Sequence, residues 1–286
     1  MNPKLENITI ISLPFILTSV LLVVGYNILI STTPEANIAP PADQSTTEIL
    51  TKSDFPTNPP SKPYSNQITL VIATVPDNTP ALNQITSLAV SAQADGIYLS
   101  LPIAVNPDNS LTLSQATSSS EENVMRWVKK TISTANQKQL HTTLALTLNA
   151  QTTITDSKTF STNLNEFIIP WASLATEYSI RFFSPGITMG HPLYSNLTNQ
   201  EFNQLLSTVQ STIRKKYSGQ IGVGMCCSIS PDFRPGGYTF ITAISTPEFT
   251  LPDLLPQINL YTKTYNMKHT FEYNRETQKV LQVLTP

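Results

Sequence analysis

Charge is scarce in this chain. Only 13% of its 286 residues are Asp, Glu, Lys or Arg, about half the share usual for a soluble domain. They sum to a formal charge of −2. That balance leaves no basic face for a phosphate backbone, so no nucleic-acid partner is expected. Cysteine is nearly absent too. The two present, Cys226 and Cys227, are neighbours, which excludes a disulfide framework. A bond between neighbours is open to them but strained, and on a strand they are expected to point to opposite faces. Nucleotide-binding and hydrolase signatures are also missing. Val75-Pro76-Asp77-Asn78-Thr79 follows the first strand-like run in place of a Gly-x-Gly-x-x-Gly turn, and no Gly-x-Ser-x-Gly occurs. No His or carboxylate pair has metal-ligand spacing, so no metal and no cofactor is expected.

What remains is polar without being charged, through Thr, Ser, Asn and Gln, as suits an exported protein. The 40% of hydrophobic residues is enough for one sizeable core. One apolar run stands apart from it. Residues 8–30 carry no charged side chain, and about 20 such residues cross a bilayer as a helix. Pro14 is tolerable there. The run is long for a signal peptide, and Ile28-Leu29-Ile30-Ser31 is a poor cleavage site. The expectation is an uncleaved, single-pass anchor in the cell membrane. Lys4 precedes the run and the next basic residue is Lys52, so residues 1–7 are expected in the cytoplasm and the C-terminal part outside. Residues 31–66, with seven prolines among Ser, Thr and Asn, read as a tether.

From residue 67 to 286 strand-like and helix-like stretches alternate. Strands are expected over 68–75, 96–102, 140–148, 180–184, 220–227, 238–245 and 268–273. Helices are expected over 81–94, 121–138, 160–178 with a break at Pro170, 199–217 and 251–265. Alternation of this kind means parallel pairing with right-handed crossovers. An open doubly wound sheet and a (β/α)8 barrel both fit. About 220 residues is the low end for a barrel, and the missing glycine-rich turn favours it over a dinucleotide fold. Only thirteen residues follow Tyr273. They allow either a last helix with an incomplete barrel or a hairpin strand over 279–284. The hairpin satisfies more backbone groups, since it closes a sheet edge.

Trp171-Ala172-Ser173-Leu174-Ala175-Thr176-Glu177-Tyr178-Ser179-Ile180-Arg181-Phe182-Phe183-Ser184-Pro185 resembles the fourth-strand region of clan A glycoside hydrolases, such as endo-galactanases and endo-mannanases. There a helix of the form A-x-x-A-x-x-Y leads to a strand ending near F-x-P-x-N-E-P. Tyr217-Ser218-Gly219-Gln220-Ile221 is similar to the same families' entry to strand five, and Tyr238-Thr239-Phe240-Ile241-Thr242-Ala243-Ile244 to their sixth strand, Y-D-x-I-G-x-N. The resemblance spans about residues 68–272 in layout. It implies a barrel of retaining glycoside hydrolases that acts on, or binds, polysaccharide.

The departures bear on activity. The family's acid/base Asn-Glu pair would fall on Ile187 and Thr188, and its strand-six Asp on Thr239. The family's nucleophile lies on strand seven, where Glu272 is the candidate. Retention needs two carboxyl groups about 5–5.5 Å apart. A hydroxyl cannot replace the acid, whose loss costs about 10²–10⁴ in rate. Glu248 and Asp232 are the possible substitutes. Tyr194, Phe233, Tyr238, His191, Asn149 and Thr188 are the candidate substrate-binding residues. Three functions follow: a polysaccharide-binding barrel that has lost catalysis, an active retaining hydrolase with a relocated acid, or a non-catalytic envelope scaffold.

Overall fold

The structure is a computed structural model. It describes residues 58–61, 69–72, 75–76, 78–114, 120–149, 153–227, 229–246, 249–267, 269–274 and 279–283. The expected anchor at 8–30 and most of the tether lie outside the described residues. Among these, no helix is long and apolar enough to cross a membrane.

Ten strands form one sheet: β1 (Thr69–Ile72), β2 (Gly96–Val105), β3 (Leu111–Leu113), β4 (His141–Asn149), β5 (Phe182–Ser184), β6 (Thr188–Met189), β7 (Gln220–Met225), β8 (Phe240–Ser245), β9 (His269–Asn274) and β10 (Lys279–Val283). β1 pairs in parallel with β2 on one side and antiparallel with β10 on the other, so the sheet closes. The ring runs β1-β2-β4-β5-β7-β8-β9-β10. β3 folds back on β2, and β6 continues the fourth staggered strand against β7. β10 returns from β9 as a hairpin, with Val280 opposite Tyr273 and Val283 opposite Thr270. The short C-terminus thus supplies the eighth strand without a crossover helix. No strand of the ring is left with an open edge.

Among the described residues five α-helices surround the ring: α1 (Thr79–Ser91), α2 (Glu121–Gln137), α3 (Ser157–Glu177), α4 (Asn199–Arg214) and α5 (Leu251–Tyr265). Local chemistry fixes their starts. Asn78 accepts from the Ala81 amide, Ser120 from Asn123, and Asp156 from Lys158 and Thr159. Thr198 and Glu201 form a reciprocal capping box on α4, and Asp253 reaches back to the Thr250 amide on α5. The expected break at Pro170 does not occur, and α3 runs through it. Pro170 is exposed, whereas Ile168, Trp171, Leu174 and Ala175 around it are buried. Packing on both sides of the proline holds the helix together despite one missing hydrogen bond.

The strand over 220–227 is also shorter than expected. β7 ends at Met225, and Cys227 turns into the left-handed region at φ 57°. The two cysteines therefore do not alternate on a strand. Among the described residues between β7 and β8 no helix forms. Residues 226–227 and 229–239 cross the outer layer as a loop held by the helices beside it. Tyr261 donates to the Ser230 carbonyl at 2.8 Å, and Asn203 donates to the Asp232 carbonyl at 2.9 Å.

Alternation along the strands makes two cores. Ile97, Leu99, Leu101 and Ile103 of β2, Leu144, Leu146 and Leu148 of β4, and Ile221, Val223 and Met225 of β7 face the helices. Tyr98, Ala145, Phe182, Phe240 and Phe271 form a separate cluster inside the ring.

Candidate functional site

The inside of the ring has two unlike halves. Near the N-terminal ends of the strands, Phe182, Phe240 and Phe271 meet edge to face with centroids 5.4–5.6 Å apart. Gly222 makes this possible, because a β-carbon there would come within 2.1 Å of the Phe240 ring. Arg181 covers the Phe182 ring at 5.2 Å. The aromatic plug fills the lower half of the ring.

Above it several of the described interior positions are small and neutral. The β2–β4 register brings Ser100 opposite Ala145 and Pro102 opposite Thr147. The Ser100 and Thr147 hydroxyls are 2.9 Å apart. Ser184 ends β5, and Thr242 lies opposite Gly224 on one side and Phe271 on the other. The Thr242 hydroxyl is buried without a hydrogen-bond partner. These side chains line the C-terminal half of the sheet, the end at which barrel enzymes of this architecture place their chemistry.

Thr188 completes the set. Five residue steps separate Phe183 from Thr188, but only three separate their β7 partners, Ile221 and Gly224. Ser184-Pro185-Gly186-Ile187 therefore bulges. Gly186 takes φ 90°, and a β-carbon on it would lie 3.0 Å from the Leu146 carbonyl oxygen. After the bulge Ile187 and Met189 enter the outer core, and Thr188 faces the interior across Gly224. Among the described residues no carboxylate joins this hydroxyl group.

The other candidates fall elsewhere. Tyr194 is 7% exposed and packs between Phe160 and Phe202. Its hydroxyl is buried beside the Thr188 backbone. Burial first, and the neighbouring Tyr238 next, push the phenol above its ordinary range. Tyr238 is 2% exposed and donates to the Leu206 carbonyl, so neither ring offers a free face to a sugar. Burial likewise raises the phenol of Tyr261, the loop's anchor, to about 12. Phe233 stacks on Phe202 with centroids 4.5 Å apart, in the helix-less crossover. Asp232 is exposed, accepts from Asn199 at 3.2 Å and lies 3.9 Å from the Arg234 guanidinium. Its contacts tie the crossover to the start of α4.

His191 is half-buried and caps a single 3-10 turn, accepting the Leu193 amide on Nδ1. Asn149 ends β4 in register with Ala104, and Glu272 lies on β9 opposite Ala243 and Leu281. The side chains of Asn149 and Glu272, and all of Glu248, lie outside the described residues. The sequence reading passed over Ser100, Thr147, Ser184, Thr242 and Gly224. A signal was present: small or hydroxyl residues stand two apart at Ala145 and Thr147 and at Gly222 and Gly224.

No protein-family model matches the sequence, and no curated protein matches it. Solved structures do match. A GH113 β-1,4-mannanase superposes with TM-score 0.53 at 10% identity, covering 72% of this chain and 70% of the mannanase. The GH113 β-mannanase of Alicyclobacillus acidocaldarius, solved in complex with ManMIm, gives TM-score 0.56 at 10% identity, covering 74% and 71%. At such identities the likeness speaks for the backbone alone. The chain shares the barrel fold of these GH113 mannanases.

Proposed function

We propose that this chain is a membrane-tethered, glycosidase-like barrel that holds a neutral polysaccharide at the C-terminal mouth of its sheet without hydrolysing it efficiently. One observation carries the reading. Thr188, the position to which the sequence resemblance assigns the family's proton donor, stands over Gly224, within a lining that includes Ser100, Thr147, Ser184 and Thr242. Hydroxyls can donate to and accept from the hydroxyls of a sugar. They cannot protonate a glycosidic oxygen near neutral pH. A neutral lining also suits an uncharged polymer. The tether reading rests on the apolar run at 8–30 and the proline-rich stretch after it.

The test is retention on insoluble β-1,4-mannan, run beside galactan and cellulose, with release of reducing ends measured in parallel. We expect retention on at least one glycan with little or no hydrolysis. Thr147→Phe, which fills the mouth and leaves the outer core intact, should weaken retention by about tenfold or more, on the order of 1.4 kcal/mol. Robust hydrolysis abolished by Glu272→Gln would overturn the degenerate reading in favour of a working hydrolase. Absence of retention on every glycan would favour the scaffold.

A further inference from the structure

We infer that the sugar-contacting surface of the mouth is the wall of β2, β3 and β4, where Pro102 and Ala104 seat the C–H face of a neutral pyranose between the hydroxyls of Thr112 and Thr147. This rests on the polysaccharide reading above and says which side of the mouth the glycan meets. Alternation and register build the wall. Ile97, Leu99, Leu101 and Ile103 belong to the outer core and Tyr98 lies inside the ring, so residues 100, 102 and 104 share the inner face. Pairing carries that face sideways: Thr147 of β4 stands opposite Pro102, and Thr112 of β3 opposite Ala104. Exposure then separates the two sides of the mouth. Ser184, Thr188 and Thr242 are buried. Pro102, Ala104 and Thr147 are half-buried, and Thr112 is exposed. A ligand arriving from solvent meets the wall first.

The chemistry of the wall matches a sugar ring. Pro102 and Ala104 stand about 6.6 Å apart along their strand, and neighbouring strands lie about 4.8 Å away, so the patch has the scale of a pyranose. Neither side chain carries a polar atom, so the C–H face of a ring can bury there without stranding a hydrogen-bonding group. The ring's hydroxyls then extend sideways toward Thr112 and Thr147. Thr147 is held ready by Ser100, whose buried hydroxyl lies 2.9 Å from its own. Either of the two can be the donor. When Ser100 donates, Thr147 keeps its proton for the sugar; when Thr147 donates, its remaining lone pair accepts from the sugar. A sugar hydroxyl, itself donor and acceptor, fits both states. None of these five side chains is charged, so a carboxylated or phosphorylated sugar gains no counter-charge from them.

The experiment measures retention of the full-length chain, in detergent, on insoluble β-1,4-mannan, galactan and cellulose. Ala104→Ile suits a strand but raises a branched side chain from the seat. Retention on whichever glycan holds the wild type should fall by about tenfold or more. Thr112→Val and Thr147→Val keep the shape of the wall and remove one hydroxyl each, so each should weaken retention by about two- to tenfold. Thermal melting of the three variants checks that they fold. Unchanged retention in all the folded variants, beside a wild type that is retained, would overturn the wall as the contact surface and leave the polysaccharide reading standing. A wild type retained on none of the glycans would overturn both.

Discussion

The Thr188 hydroxyl lies so close over the α-carbon of Gly224 that a β-carbon on Gly224 would come within 2.3 Å of it. The β6–β7 register fixes that pair, and neither backbone can retreat without breaking the ring. Gly224→Ala is therefore expected to push Thr188 off its position and to destabilise the fold by about 1–3 kcal/mol through overpacking. Polysaccharide retention should fall in the same variant. A conservative Thr188→Ser should keep both, read by denaturant melts and by retention.

The plug is the second test. Phe240 is fully buried against Phe182 and Phe271 with no polar role. Phe240→Ala should cost about 3–5 kcal/mol, the sum of lost burial and the cavity left. An unchanged melting midpoint would show that the ring interior is not packed as described.

Closure by β10 is separable from the rest of the sheet. β10 pairs with β9 along its length and with β1 at Thr69–Val280. A chain ending at Asn274 should lose cooperative unfolding, since β1 and β9 would each expose a row of backbone groups. Retention of a sharp transition would mean that the hairpin is dispensable.

Stability should fall in acid. Asp156, Glu201 and Asp253 accept hydrogen bonds at the starts of α3, α4 and α5, and those bonds hold each carboxyl below its ordinary value. A lowered folded-state pKa gives stability that is present above the unfolded value, about 3.9–4.3, and is lost as pH falls through the folded one. Melting temperature measured against pH should decline below about pH 4. Asp156→Asn, which can still cap, should hold most of the neutral-pH stability and flatten the decline.

Much of the fold was legible from the chain itself. Period-two runs and helix caps are local, and helix α5 has the bounds that its pattern dictates. The hairpin expected over 279–284 is there as well, β10 pairing antiparallel with β9.

What tertiary structure alone decided was direction. Tyr194, Phe233 and Tyr238 have the chemistry of a sugar platform, yet packing with Phe160, Phe202 and Leu206 draws them into the outer layer. The sequence names an aromatic but not the side of the sheet it serves. A two-residue excess over the β7 register, spent in the bulge at Ser184–Ile187, decides which of Ile187 and Thr188 faces the mouth. One step either way would put the hydrophobic residue inside and the hydroxyl among the helices. Residue type set the chemistry available, and closure of the ring, a long-range constraint, chose which of it meets the mouth.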